Sequence, residues 1–291
     1  MQEAPGKAMS IQAQKGEQFA KSHVEPGIVV LPNAWDAGSA VMIVEAGFPA
    51  IATTSAGIAF TMGLPDGQHI SRHRMLECVS RIVAAVPVPV TADLEAGYGA
   101  RPEDVAATVR GAIEAGAVGC NIEDATGRSE QPLFDFELAC DRIRAGAEAA
   151  RSTGVAFVLN ARTDPYLVRH GSADVNFAEA VRRANAFREA GAGCLFVPGP
   201  MDAETIGRLV REIHGPLNVL GARGGSASAL SIPELGRLGV RRVSIGGSLS
   251  VAALGFVQQA MRELREHGTF AYAPSAPSNA GINAIMARNR K

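Results

Sequence analysis

VPVTADLEAGYGARPEDVAATVRGAIEAGAVGCNIED, residues 88–124, decides the fold. It opens on an apolar, β-branched run at 88–92 and closes on a second at 118–122, both of strand length. Between them Pro102 suits a helix first turn, where its missing N–H would have no partner anyway, and Gly116 supplies a C-cap, so a helix is read at 102–115. Strand, helix and strand within this span make a parallel βαβ unit. The alternation continues in both directions, with further strands read at 28–32, 50–54, 156–160, 194–197, 217–220 and 242–245, eight in all. Helices are read at 35–46, 71–85, 137–151, 177–190, 203–213, 231–238 and 249–267, and the phrase Glu-Ala-Gly recurs at 45–47, 114–116 and 189–191.

Eight strands, each followed by a helix, are what a (β/α)8 TIM barrel requires. The rival, a doubly wound open sheet, usually carries GxGxxG after an early strand, whereas the first strand here leads into PNAWDAGSA at 32–40. We therefore expect an α/β barrel as one domain over 1–291, with an N-terminal segment at 1–25 and a C-terminal tail at 268–291. The tail has PSAPSNAG turn chemistry at 274–281 before a short helix-compatible end, and is expected to be disordered or to dock on a neighbouring subunit.

Composition narrows the function. With 47% hydrophobic and 20% charged residues the chain is globular, which excludes disordered, collagenous and coiled-coil classes. Its 28 basic and 29 acidic side chains leave a net charge of −1, so nucleic acid is not an expected partner. The uncharged window 46–65 is broken by Gly, Pro and Thr and reads as a buried strand and loop, so no membrane partner is expected. The N-terminus lacks the apolar core of a secretory leader, and a cytoplasmic location is the expectation. Cys78, Cys120, Cys140 and Cys194 form no CxxC pair and are read as reduced packing residues.

A barrel of this kind works at the C-terminal ends of its strands. There the third strand delivers Asp93 and Glu95, the fourth Glu123 and Asp124, and the fifth Arg162 and Asp164. Two residues apart on extended chain, Asp93 and Glu95 share a face, and Glu123 on the next strand can join them. Gathered carboxylates repel, so they make either a metal site or an acid–base pair, and oxygen ligands alone favour Mg²⁺ or Mn²⁺. Asp124 and Asp164 taken singly read as helix N-caps or surface ion pairs. Arg162 either neutralises the acids or grips an anionic substrate. The six histidines show no metal-binding spacing and read mostly as solvent-facing. The Gly-rich loops at 221–225 and 246–248 follow the last two strands, and read equally as phosphate-binding loops or as tight turns.

At these residues the chain resembles the isocitrate lyase and phosphoenolpyruvate mutase superfamily. The matching pieces are TTSAGIAFTMGLPDG at 53–67, TADLEAGYG at 91–99, IED at 122–124 and NARTD at 160–164, in the family's order. The resemblance implies a (β/α)8 barrel whose terminal helix is exchanged between subunits, usually of a homotetramer, and a Mg²⁺ site for a 2-oxo acid or its enolate. It implies Asp93 as the direct metal ligand, with Asp66, Glu95 and Glu123 acting mainly through metal-bound water. Thr54, Ser55, Ala56 and Gly57 would hold the substrate's carboxylate or phosphonate, and Arg162 would bind the anionic substrate and steady charge. Glu95 stands where the family commonly has aspartate.

Departures from the family shape the expected reaction. Its lyases carry two basic residues, then Cys, Gly and His, in the loop after the fourth strand, where this chain reads DATGRSEQPLFDF at 124–136. Cleavage through that cysteine is disfavoured, and Arg128 replaces the lysine usual in the phosphonate enzymes. What remains is chelation of a 2-oxo carboxylate and stabilisation of an enolate. A Mg²⁺-dependent lyase or decarboxylase of an oxaloacetate-like 2-oxo acid is the expectation, with Arg162 and Glu123 as the catalytic pair. Phosphonomutase or phosphonopyruvate hydrolase chemistry is the enzymatic alternative. A barrel that binds metal and oxo acid without turnover is the non-enzymatic one.

Overall fold

The computed structural model describes residues 9–200, 202–222 and 230–288. Its strands are β1 (Val29–Leu31), β2 (Asn33–Ala34), β3 (Ile51–Thr53), β4 (Val90–Asp93), β5 (Gly119–Glu123), β6 (Val158–Arg162), β7 (Cys194–Phe196), β8 (Leu217–Leu220) and β9 (Arg242–Ser244). All pair in parallel, in the order β1-β9-β8-β7-β6-β5-β4-β3-β2. Nine strands still make eight staves. The first expected strand is cut at Pro32: β1 pairs with β9 and β2 with β3, so the two pieces together bring the ends of the sheet together into the barrel. Proline has no N–H to give the ladder, but its carbonyl still accepts from Ala52 at 2.9 Å.

Around the sheet lie α1 (Ile11–Val24), α2 (Ala37–Glu45), α3 (Ser55–Thr61), α4 (Arg72–Ala85), α5 (Pro102–Glu114), α6 (Phe136–Arg151), α7 (Ala173–Glu189), α8 (Ala203–Glu212), α9 (Ile232–Leu238), α10 (Ser248–His267) and α11 (Asn279–Arg288). The α5 helix shows why the pattern was readable. Pro102 opens it, Asp104 accepts from the Arg101 N–H at 3.1 Å, and Gly116 leaves it at φ +92°. Its Val105, Val109, Ala112 and Ile113 recur on one face and are buried against the barrel.

Four features add to or correct the reading from sequence. The segment before the barrel contains α1, which stops the N-terminal end of the barrel: Phe19 packs with Leu31, Val118, Val158 and Cys194, and Gln12 donates to the carbonyls of Ile113 and Ala117. Because α1 docks through one aromatic ring and a glycine instead of an apolar stripe, its sequence gives little helical signal. His23, one of six histidines read mostly as solvent-facing, is buried there edge-on to Phe19, and burial together with the positive charge of Arg242 lowers its imidazole to about 4. The window read as strand and loop also holds α3, capped by Thr54. The α11 helix in the tail lies against α2 of its own chain, where Arg288 pairs with Glu45.

Apart from Ser250 and Ala260, the side chains of α10 are not buried, and Leu254, Phe256, Val257 and Met261 are exposed. Among the described residues no helix is long and apolar enough to cross a membrane.

Gly16 fixes how closely α1 approaches, since a Cβ there would stand 2.3 Å from the Ala156 carbonyl oxygen. Gly16→Ala should lower stability by ~1–3 kcal/mol despite alanine's better helix propensity, as read by urea unfolding. Gly38→Ala on α2, where the nearest atom lies 3.5 Å away, should be neutral or stabilising in the same measurement.

Candidate active site

A cavity of about 150 Å³ opens among the C-terminal strand ends, lined by Ser55, Asp66, Asp93 and Arg162 with Asn121 and Arg242. Asp93 ends β4 and is held on both oxygens. One accepts from the Ser55 N–H and hydroxyl, each at 2.9 Å, and the other from the Asn121 amide at 2.6 Å. The N–H of Ser55 is free for this because the first turn of a helix has no internal partners for its donors, and Ser55 begins α3. The Ser55 hydroxyl also lies 3.2 Å from Asp66. It carries one proton, so it serves one carboxylate at a time.

Glu95 does not sit on extended chain. The strand ends at Asp93, and the next residues turn through left-handed backbone at Glu95 (φ +50°), Gly97 (+84°) and Tyr98 (+58°). Left-handed geometry is unfavourable for non-glycine residues, and here two loops hold it jointly. Gln68, itself at φ +61°, gives its N–H to Glu95 and receives that of Tyr98 on its side-chain oxygen at 2.8 Å, while the Tyr98 hydroxyl donates to Glu95 at 3.2 Å. From behind, Thr108 of α5 donates to the Gly97 carbonyl at 2.7 Å. The buried Arg142 of α6 donates to the carbonyls of Gly99 and Ala96, with its guanidinium 4.0 Å from the centre of the Phe134 ring.

The carboxylates strain one another. Burial, then repulsion from Asp93 and Asp66, pushes Glu95 up to about 7, and burial and Asp93 raise Asp66 as well. Glu123 ends β5 opposite Arg162 in register, and the two pair at 2.7 Å. Burial drives the Glu123 carboxyl upward against the pull of that guanidinium. Burial alone would lower Arg162, but Asp164, which accepts from its Nε at 2.7 Å, and Glu123 together raise it above its ordinary value. Arg162 therefore presents a permanent, fixed positive charge to the cavity.

Each residue singled out from sequence can now be placed. Asp66, Asp93, Glu95, Glu123 and Arg162 come together at one rim. Thr54, Ser55 and Ala56 line the cavity; Gly57 does not, and it packs on Trp35 while its N–H goes to the Thr54 hydroxyl at 3.3 Å. Asp124 is neither an N-cap nor a surface partner: it is buried, paired with Arg183 at 3.2 Å, and accepts from Thr163 and the Asp164 N–H. The turn at Gly246 is held by the Asn33 side chain, which accepts the N–H groups of Ile245 and Gly246 at 2.9 and 3.0 Å. The Gly246 N–H is thus already engaged, which favours the tight-turn reading. Of the other Gly-rich loop, residues 223–225 lie outside the described residues.

The loop at 124–136 folds on itself through a bridge between Ala125 and Leu133, and residues 125–136 contribute nothing to the cavity lining. Arg128 pairs with Gln131 at 2.7 Å. Among the described residues, no three His, Cys, Asp or Glu side chains converge closely enough to form a metal cluster by themselves. Sequence reasoning missed Asn121, Gln68, Tyr98, Arg142 and Arg242. Asn121 could have been found, since it precedes Glu123 by two on the same strand.

An eight-stave barrel with carboxylates and one clamped arginine gathered at its C-terminal rim has the architecture of an α/β-barrel enzyme. The chain belongs to the phosphoenolpyruvate phosphomutase family, whose model matches residues 19–265, and through it to the superfamily of isocitrate lyases and related mutases. It is similar to a lyase/mutase candidate of Burkholderia cenocepacia J2315, 44% identical with a TM-score of 0.90, covering 96% of this chain and 98% of that one. It is 32% identical over 188 residues to 2-methylisocitrate lyase of Escherichia coli K12, covering 62% of this chain and 61% of that protein. A phosphonopyruvate hydrolase, solved with oxalate and Mg²⁺, is 25% identical with a TM-score of 0.82 and coverage of 95% and 96%.

Because Glu95 is raised in the folded state, its contribution favours the fold below its ordinary value near 4.5 and is lost as pH rises through about 7. In metal-free buffer, stability attributable to Glu95 should fall by on the order of 1–3 kcal/mol across that window. Glu95→Gln should flatten this part of the profile in urea titrations run at stepped pH; an unchanged slope would reject the assignment.

Proposed function

We propose that this protein is a divalent-cation-dependent lyase acting in the cytoplasm on a small 2-oxo dicarboxylate of the oxaloacetate type, breaking a carbon–carbon bond by decarboxylation or related cleavage. The observation that carries the proposal is that Asp93, Asp66 and the fixed guanidinium of Arg162 all face one small cavity, while the neighbouring loop brings no cysteine or lysine to it. Four unpaired cysteines suit a reducing compartment.

The donor set fits the cation. It is all oxygen, and the repulsion that raises Asp66 and Glu95 is what a cation relieves. Asp93 and Asp66 line the cavity and would hold the ion there, with Glu95 and Glu123 outside that lining, a sparse oxygen set that suits an ion keeping much of its water, as Mg²⁺ does and Mn²⁺ can. When bound, the cation supplies Lewis-acid polarisation of the 2-oxo carboxylate and stabilises negative charge as the bond breaks. Arg162, with Nε and Nη1 held by Asp164 and Glu123, keeps Nη2 for the substrate carboxylate and offsets the developing charge without reorganising. Ser55 and Asn121 fix Asp93, and Gln68 and Tyr98 fix Glu95, so the acidic wall is oriented before substrate arrives.

A second reading, carbon–phosphorus bond chemistry on phosphonopyruvate or phosphoenolpyruvate, draws support from the family model and from the phosphonopyruvate hydrolase relative. Steady-state assays with Mg²⁺ should show turnover of oxaloacetate well above that of phosphonopyruvate. The reverse order selects the second reading, and stabilisation by oxalate plus Mg²⁺ with no turnover selects a binding barrel. Asp93→Asn and Arg162→Lys should each reduce kcat/KM at least ~100-fold, ~3 kcal/mol or more in the barrier. Retained activity in Asp93→Asn would dismiss the site.

We also propose that a second copy covers the apolar face of α10, within a homotetramer. Light scattering should give four times the chain mass, and Leu254→Glu with Val257→Glu should reduce it; a wild-type monomer would refute the assembly.

A further inference from the structure

The buried arginines of the outer helices and the half-buried Arg162 all have partners: Arg142 backbone carbonyls, Arg162 Glu123 and Asp164, Arg183 Asp124 and Glu179. Arg242 has none among the described residues. It is fully buried, and Nε, Nη1 and Nη2 all lack a hydrogen bond. Among the described residues its surroundings supply no counter-charge: the Phe19 ring lies 5.9 Å from its guanidinium, with the neutral thiols of Cys120 and Cys194 and the His23 imidazole, whose protonation it disfavours, nearby. A buried guanidinium with neither hydrogen bonds nor counter-ion is strongly unfavourable, and water can answer the first need but not the second. Arg242 also lines the same cavity as Asp93 and Arg162, together with the polar Ser244 and Asn33.

We propose that Arg242 is the receptor for the second carboxylate of the substrate, at the inner end of the catalytic cavity. This rests on the oxo-acid reading above and adds to it: Arg162 and the acidic wall take the 2-oxo acid head, and Arg242 selects substrates whose far end is anionic. A guanidinium offers paired, parallel donors that match a carboxylate, so the complex meets the hydrogen-bond and charge demands of the free barrel together. The lining also includes Ala52, Leu220 and Phe196, apolar surface that suits a short carbon chain. Arg242 is thus a specificity residue, and its signal in the sequence, an arginine opening the last strand, is that of a basic residue at a position usually apolar.

The test is calorimetric titration in Mg²⁺ with two inert probes: oxalate, which has only the head, and N-oxalylglycine, which carries a second carboxylate beyond a 2-oxo-acid-like head. Arg242→Met and Arg242→Lys are compared with wild type, and thermal melts confirm folding. In Arg242→Met the affinity for N-oxalylglycine should fall at least tenfold while oxalate stays within twofold, and Arg242→Lys should lose less. Equal weakening of both probes, or no change in either, overturns the subsite and makes Arg242 a structural residue. A wild-type protein that binds no oxalate overturns the parent reading, and the subsite with it. Arg242→Met should also melt higher than wild type without ligand, since it removes a buried unpaired charge; a lower melt with unaltered probe selectivity counts against the proposal.

Discussion

Repulsion among the carboxylates of one barrel rim is the constraint on which the site depends. Asp66, Asp93, Glu95 and Glu123 act on one another across a small buried volume, and each would be more stable protonated or in water. The protein holds them there by assigning each a donor: Ser55 and Asn121 for Asp93, the Ser55 hydroxyl for Asp66, Gln68 and Tyr98 for Glu95, and Arg162 for Glu123. The donors in turn dictate local backbone. Gln68, Glu95 and Tyr98 occupy left-handed conformations, and in them the two loops exchange the hydrogen bonds that hold Glu95. Arg142 and Thr108 restrain the Glu95 loop from the outer helices, far from the cavity, so the helical layer supports the geometry of the acids as well as the closure of the barrel.

Buried charge in this barrel divides by whether it is already matched. Asp124 with Arg183 and Glu179 is a closed network, its members turned toward one another, and it joins β5, β6 and α7 behind the site. Such a network is weak evidence for stability, because desolvation opposes the attraction, but it fixes how α7 sits on the sheet. The rim is different: Asp93, Asp66 and Glu95 have hydrogen-bond donors but repel one another, and among the described residues Arg242 has neither hydrogen bond nor counter-ion. An unmatched buried charge has no structural use that an apolar residue could not serve better, and this asymmetry is what distinguishes a binding cavity from a packed barrel interior.

Much of this was legible in the chain. Alternating short apolar runs and capped helices identified the barrel because parallel strands buried on both faces read as continuous apolar segments. Asp93, Glu123 and Arg162 could be placed at the C-terminal rim because they end their strands, whatever the details of the loops. Other features were not legible, for separable reasons. Glu95 was placed on the right side of the barrel by a period-two argument that fails at the residue itself, where the strand has ended and a left-handed turn returns the side chain to the same face. The α1 helix docks through Phe19 and Gly16, a contact too sparse to leave a periodic trace. The first stave is interrupted at Pro32, which sequence alone reads as a strand end. Arg142 and Arg242 look like ordinary helix and strand residues until the fold shows what surrounds them.

The cysteines decide which chemistry the cavity cannot borrow from elsewhere in the chain. Superfamily lyases rely on a loop cysteine as acid and base, and here the nearest thiols by fold position, Cys120 and Cys194, lie on barrel strands with no exposure. Burial raises both, Cys194 to about 11, so neither forms the thiolate that proton abstraction would need near neutral pH. The loop after β5 is pinned by its own bridge and by Thr126 on the Gln131 carbonyl, and in this arrangement it brings no proton-transfer group to the substrate. A reaction that requires a strong side-chain base to start bond breaking is therefore poorly served. Decarboxylation has no such requirement: carbon dioxide leaves, the bonding electrons stay on the adjoining carbon as an enolate that solvent can later protonate, and bond breaking itself needs a place for that charge to go. On the reading proposed above, a cation held at this rim beside the permanently charged Arg162 would supply that place.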